Sequence, residues 1–250
     1  MAKILRSETS LGQRQHAIRR ELRRAGLARL VLWGGVVVAS LLLAGVALHR
    51  QSVAPLLAIP VFVLLAVGFE LRQKEIAVED RNIEGGRRGE ARTAALLAER
   101  LADDHLILND LELRIAHERA QIDHLVLAPS GIYVIESKYW AGTLTGDVHD
   151  AQWTQKSHGF PRKVKSPVLQ CERQRRMLIS LHALRMPEDR IHAMAVFTHP
   201  SVHLQIAGGA GRAFLLDEAV RHINDHCFDP PILTPPQLRE LADEILRRQP

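Results

Sequence analysis

The stretch that decides the fold runs from residue 120 to residue 138: AQIDHLVLA (120–128), PSG (129–131) and IYVIESK (132–138). Both outer segments are near-continuous apolar runs, the pattern of strands covered on both faces. Pro129-Ser130-Gly131 supplies the turn between them. Asp123, Glu136 and Lys138 interrupt the runs with charge. Side chains alternate along a strand, so Glu136 and Lys138 share one face and Ser137 takes the other. A two-residue turn at Pro129-Ser130 sets Asp123 opposite Glu136, with Cβ atoms about 4.5 to 5.5 Å apart. A turn at Ser130-Gly131 sets it opposite Lys138, still on one face, whereas a three-residue loop without a bulge sends it to the far face. Two carboxylates on one semi-buried surface repel unless something neutralises them. Mg²⁺ does so, taking oxygen ligands at about 2.0 to 2.1 Å from one or two carboxylates, waters and substrate phosphates. Lys138 beside them offers positive charge to a phosphate oxygen or orients an attacking water. The pattern fits phosphodiester hydrolysis, and a structural carboxylate–lysine cluster fits the same spacing.

Further elements flank the hairpin. Residues 70–84 are charged and helix-prone, and Gly85-Gly86 predicts a break after them. Gly89 to Leu101 predicts a small-residue helix with Glu90 in its first turn, and 105–111 a strand. A polar loop follows Lys138. Pro167 opens a helix reaching about Leu184, 191–198 is a buried strand, 213–216 a short strand and 217–226 a helix. Thr234-Pro235-Pro236-Gln237 is a helix start with a capping box, and Leu238, Leu241 and Ile245 give that helix its apolar face. The order α-β-β-β-α-β predicts an α/β domain around a mixed sheet.

Upstream lies a different composition. Residues 30–48 and 53–69 carry no charge, and at about 1.5 Å per residue each approaches the roughly 30 Å of a bilayer core. They predict a transmembrane helical hairpin across 30–69. Pro55 and Pro60 leave a re-entrant hairpin as an alternative. A cleaved signal peptide is disfavoured, because the first apolar run exceeds the roughly 7 to 15 residues such a peptide uses. Residues 1–29 hold eight Lys/Arg against Glu8 and Glu21, whereas 70–250 hold 24 Lys/Arg against 26 Asp/Glu. The overall charge of +5 therefore belongs to the leader. Positive flanks stay on the cytoplasmic side, which predicts a multi-pass protein of the cell (inner) membrane with both termini cytoplasmic. The expected organisation is a basic leader (1–29), the hairpin (30–48 and 53–69), a linker helix (70–85) and a C-terminal domain (86–250).

The 250 residues exclude a large multidomain machine. With 16 Gly and 12 Pro a collagen-like chain is excluded, and with two Cys a disulfide framework. Three Trp, two Tyr and six Phe are too few for a series of base-stacking platforms. Cys171 and Cys227 are isolated, and His222, His226 and Cys227 lack a second ligand cluster, so a surface or capping role outweighs metal binding there.

The hairpin and its surroundings resemble a known family. Gly86-x-x-Gly89-Glu90, Gln121-Ile122-Asp123-His124, the run from Gly131 to Gly142 containing Glu136-Ser137-Lys138-Tyr139-Trp140, and Ser166-Pro167-x-x-Gln170 together resemble the nuclease-related domain, NERD, of the restriction-endonuclease-like PD-(D/E)XK superfamily. The similarity covers about residues 86–185, with Ile122 standing where the superfamily's nominal pattern has proline. The resemblance implies a restriction-endonuclease-like αβββαβ core and a Mg²⁺- or Mn²⁺-dependent nuclease. It implies Asp123 and Glu136 as metal ligands, Lys138 as the catalytic lysine, Glu90 as a further carboxylate at the metal, and Gln170 as a polar group entering from the second helix. A fold is not itself a function, so a non-catalytic nucleic-acid-binding module or a membrane-surface scaffold on the same fold remains the alternative.

Residues 156–176 carry Lys156, Arg162, Lys163, Lys165, Arg173, Arg175 and Arg176 against Glu172. Such a basic rim suits the phosphates of DNA or RNA and makes binding salt-dependent. A patch on anionic lipid is the competing reading. Trp140 and Trp153 either stack on bases or pack beneath the loop. Protein partners stay unknown from the sequence.

Overall fold

The computed structural model describes residues 2–6, 10–115, 118–157, 159–181, 186–226 and 229–249. The chain divides into two compact units, Leu11–Glu84 and Met1–Ser10 with Gly85–Pro250.

The first unit consists of helix α1 (Ser10–His49), a 3-10 turn at Ala54–Ala58, and the first part of helix α2 (Ile59–Arg100). Ala28–His49 and Ala54–Arg100 are long and apolar enough to cross a membrane. Leu41, Leu42, Leu48, Leu57 and Leu64 are each about two-thirds exposed or more, a surface that water does not favour. Pro55 and Pro60 both fall at helix starts, where the missing N–H leaves no hydrogen bond unmade. Glu70 accepts from Trp33 Nε1 at 3.0 Å and pairs with Arg29 at 2.6 Å.

The expected break at Gly85-Gly86 does not occur, because α2 runs through to Arg100. A helical glycine costs about 1 kcal/mol relative to alanine. Gly89 shows what offsets it: a Cβ there would lie 2.8 Å from Thr198 Oγ1 and 3.1 Å from Tyr139 Cβ. The glycine lets the helix backbone lie against the end of the central hairpin.

The second unit is built on a six-stranded mixed sheet. Its strands are β1 (Lys3–Arg6), β2 (Leu106–Ile115), β3 (Glu118–Ala128), β4 (Gly131–Lys138), β8 (Ile191–Phe197) and β10 (Ala213–Leu215), side by side in that order. β2, β3 and β4 are antiparallel, and the β1–β2, β4–β8 and β8–β10 pairs are parallel. Helices α3 (Pro167–Ile179) and α5 (Pro235–Arg247) cover one face through Met177, Leu178, Leu238, Leu241 and Ile245. The end of α2 and helix α4 (Leu216–Asp225) cover the other through Leu97, Leu101, Ala219, Val220 and Ile223. The α-β-β-β-α-β order is thus observed in the mixed sheet.

The polar loop expected after Lys138 is instead most of a second sheet. β5 (Gly142–Asp147), β6 (Gln152–Ser157), β7 (Phe160–Lys165) and β9 (Val202–Ala207) stand in the order β7-β6-β5-β9. Its core is small, with Leu144, Val148, Trp153 and Val202 packing on Val168, Ala195 and Phe197. Strands with one wet face and at most two buried side chains each leave little apolar pattern to read. Strand β1, formed from the leader, lacks such a pattern altogether.

The β3–β4 pairs run from Ala128–Gly131 to His124–Ile135, so the turn is the two-residue pair Pro129-Ser130 and Asp123 falls opposite Glu136. Both β2 and β3 then change face beside this point. Leu108 and Leu111 pack in one core cluster, as do Ile122 and Leu125, although residues three apart in a regular strand face opposite ways. Asp110 makes the change in β2, with φ of 52°, left-handed and uncommon for a side-chain-bearing residue.

Candidate functional site

Asp123, Glu136 and Lys138 meet where the central strands twist. Asp123 Oδ2 accepts from the backbone N–H of Ser137 at 2.8 Å. Burial, then Glu136 and Glu90, raise the Asp123 carboxyl well above its ordinary range, against the smaller pull of Lys138 and the Ser137 hydrogen bond. Glu136 is 3% exposed. Its Oε1 is ion-paired with Lys138 Nζ, and its Oε2 accepts from Gln174 Nε2 at 2.7 Å. For Lys138, burial favours the neutral amine, but Glu136 and Asp123 outweigh it and hold the ammonium above its ordinary value. The lysine is therefore a permanent cation, 5.9 Å from the centre of the Trp140 ring.

Glu90 comes from α2 and is 8% exposed. Burial first, then Asp110 and Glu136, push its carboxyl up to about 7, with Lys138 opposing. Thr93, one helical turn on, accepts from Ser137 Oγ at 3.0 Å and donates to the Gly89 carbonyl at 3.1 Å. The helix carrying Glu90 is thus tied to the strand carrying Glu136.

Two participants were missed in the sequence. Asp110 is 8% exposed, and the pairs Asn109–His124 and Leu111–Ile122 place it opposite Asp123. It accepts from Gln121 Nε2 at 2.6 Å. The signal was available, since Asp110 interrupts the apolar run 105–111 as Asp123 interrupts its own. The second is Gln174, which also donates to the Gln121 carbonyl at 2.6 Å. Its Oε1 is buried and has no hydrogen-bond partner among the described residues. Gln170, the glutamine expected at the site, lies one turn earlier on the same face of α3 and is exposed. Position along the helix decides between them: Ser166 caps α3 by accepting from Leu169 N, so Gln170 sits in the open first turn and Gln174 over the sheet.

The acidic set outnumbers its one basic partner. Three carboxylates from Glu90, Asp123 and Glu136, with Asp110 beside them, face one ammonium, and burial first, then this like charge, raises the Glu90 and Asp123 carboxyls. The orphaned Gln174 Oε1 adds an unused acceptor beside Glu136. Among the described residues no three His, Cys, Asp or Glu side chains are already gathered for a metal ion.

The basic set divides. Lys156, Lys163 and Lys165 are exposed on one face of the β6–β7 hairpin, while Arg162 takes the other face and donates to Gln155 Oε1 at 2.8 Å. On α3, Arg173 donates to the Arg119 carbonyl at 3.3 Å and Arg176 is exposed. Arg175 is half-buried against the Ile191 and Glu188 carbonyls. Trp153 is fully buried, its Nε1 donating to the Asp147 carbonyl at 2.8 Å, so it packs and does not stack on ligands. Trp140 is half-buried beside Phe197. His124 is held down to about 3 by burial and stays neutral, its Nδ1 2.8 Å from Asn109 Oδ1. His226 caps α4, its Nδ1 2.8 Å from the His222 carbonyl, while Cys227 lies outside the described residues.

Residues 85–198 match the family model of the nuclease-related domain. An uncharacterized protein of Bacillus anthracis is 30% identical over 82 residues, which make up 32% of this chain and 37% of that protein. No solved structure matches. The charged strand ends, the αβββαβ order and the family match coincide on one segment, and residues 85–198 of this chain are a nuclease-related domain.

Proposed function

We propose that the chain is a membrane-anchored nuclease, hydrolysing phosphodiester bonds of DNA or RNA with Mg²⁺ or Mn²⁺ at the cytoplasmic face of the cell membrane. The observation that carries this reading is the meeting of Glu90, Asp123, Glu136 and Lys138, from one helix and two strands, in a buried set with excess negative charge. Asp123, Glu136 and Glu90 would hold the cation. Bound there, it supplies electrophilic charge to a phosphodiester oxygen and a more acidic water. Gln174 fixes the Glu136 carboxylate from the side opposite Lys138. Lys138 remains charged throughout and stabilises the negative charge that grows on the phosphate. The two long apolar helices support anchoring, and the basic leader supports cytoplasmic termini.

Purified full-length protein in detergent is expected to cleave single- or double-stranded DNA or RNA with Mg²⁺ or Mn²⁺ and not with EDTA. Glu136→Gln and Lys138→Ala should each lower the rate about a hundredfold or more, as loss of a single transition-state-stabilising group does. The engagement of both Glu136 oxygens by Lys138 and Gln174 favours a second reading, a module that binds nucleic acid without cutting it. Steeply salt-dependent binding without metal-dependent cleavage would decide for that reading.

A further inference from the structure

Three imidazoles meet at the start of β8, whose other end lies beside Lys138. His192 stands on β8, His222 lies in α4, and His226 caps the C-terminal end of α4. Their ring centres are 4.4 Å apart for His222–His226, 5.4 Å for His192–His226 and 6.4 Å for His192–His222. The buried Tyr133 ring stacks on His192 at 4.9 Å, and Phe214 lies 4.8 Å from His222. All three imidazoles are half-buried, so protons reach them without unfolding. His226 Nδ1 is 2.8 Å from the His222 carbonyl, while the ring nitrogens of His192 and His222 have no hydrogen-bond partner among the described residues.

The surrounding charges decide where a proton is welcome. Within α4, Asp225 favours a charged His222, and the carbonyls at the C-terminal end of the helix favour positive charge on both of its histidines. Across the contact with β8 the balance is reversed. Arg175 of α3 and Arg190 of the 3-10 turn Glu188–Arg190 act on His192, and Glu172 at 3.9 Å and Asp229 at 2.6 Å are already paired with these two arginines. Glu218 and Arg221 line the cavity beside His222, and Glu188 and Asp189 the cavity beside His192. The outcome for His192 is a pKa lowered from 6.5 to about 4, by burial first, then by His226, His222 and the two arginines. Burial and then His226 lower His222 as well. A proton on His192 and a proton on α4 therefore oppose one another while α4 touches β8. Separated, both sides charge readily.

The end of α4 is tied to other elements of the domain. Ser130 Oγ donates to the His226 carbonyl at 2.8 Å. Arg100 of α2 pairs with Asp217 at 2.7 Å, and Asn224 Nδ2 donates to the Arg100 carbonyl at 3.2 Å. We propose that His192, His222 and His226 form an acid-sensitive latch, which holds the last turn of α4 on β8 while the imidazoles are neutral and releases it when they take up protons. The latch stands independently of the nuclease reading and adds control over α2, the helix that carries Glu90. A depressed imidazole pKa gives stability that is complete above about 6.5 and is lost as the pH falls toward about 4, whereas the raised Glu90 carboxyl favours the fold in acid. Loosening of α4 in acid is thus opposite in sign to the effect of Glu90.

The test is amide hydrogen exchange, read by mass spectrometry on the full chain in detergent at pH 7.5 and pH 5, with exchange times scaled for the intrinsic effect of pH. Taken in full, the His192 shift weakens the closed latch about thirtyfold between these conditions, and partial exposure reduces the expected loss of protection in peptide 216–226 to about tenfold. The β3 peptide 118–128 should keep its protection. His192→Phe retains the stack on Tyr133 and should give α4 equal protection at both pH values. His192→Gln, smaller and equally unable to titrate, should give the same flat profile, which separates loss of the proton site from loss of packing. Equal protection of wild-type α4 at both pH values overturns the latch, as does a tenfold loss that persists in both variants or spreads equally to the β3 peptide.

Discussion

Glu90 shows how far burial, together with neighbouring carboxylates, disfavours an ionised carboxyl at the site. Its carboxyl is held at about 7 against an ordinary 4.5, by burial first and then by Asp110 and Glu136. A raised carboxyl pKa means that folding favours the protonated form. The stabilisation is complete below about pH 4.5 and is lost as the pH rises through about 7. At about 1.4 kcal/mol per pK unit, the gap corresponds to at most about 3 kcal/mol. Glu90→Gln keeps the shape and removes the charge. It should match wild type at pH 4 and exceed its stability at pH 8 by up to about 3 kcal/mol. Urea titrations of the full chain in detergent, followed by tryptophan emission with Trp33 and Trp140 replaced by phenylalanine so that the buried Trp153 reports alone, read both differences. Mn²⁺ at a hundred times its Kd should add about 2.7 kcal/mol to wild type at pH 8 and less to the variant. A Glu90→Gln variant destabilised equally at pH 4 and pH 8 would refute the reasoning, because the carboxyl would then act through a hydrogen bond indifferent to its charge.

Three further outcomes are expected. Gln174→Leu should lower metal-dependent cleavage at least tenfold, since it releases Glu136 Oε2, whereas Gln170→Ala in the exposed first turn should change it less; a cleavage assay on both variants compares them. Gly89→Ala gains helix propensity yet should destabilise the domain by about 1 to 3 kcal/mol, because the new Cβ meets Thr198 and Tyr139; a variant more stable than wild type in urea would show that the contact yields. Ser52→Cys, in the exposed turn between the apolar helices, should react with a membrane-impermeant thiol reagent in intact cells when Cys227 is replaced by serine, while buried Cys171 stays silent; labelling only after permeabilisation would reverse the proposed topology.

The sequence by itself determined what depends on neighbouring residues. The apolar runs 30–48 and 53–69 announce their helices because length and lack of charge are local properties. Alternation along 132–138 put Glu136 and Lys138 on one strand face, and charge inside an apolar run marked Asp123, while the choice of turn between Pro129-Ser130 and Ser130-Gly131 waited for the strand register. The same reasoning applied to Asp110 would have found it. Only the tertiary structure decided what depends on contacts between distant segments. Gln170 and Gln174 share a helix face, and the depth at which α3 crosses the sheet selects Gln174. Gly85-Gly86 reads as a stop by propensity, but packing on the hairpin outweighs a cost of about 1 kcal/mol per glycine. The second sheet is not legible in the sequence because its strands bury at most two side chains apiece, and the paired strands β5 and β9 lie some sixty residues apart in the chain. Periodicity reports which face of an element is buried; it carries no information about which element covers it, and that choice places Glu90 beside Glu136.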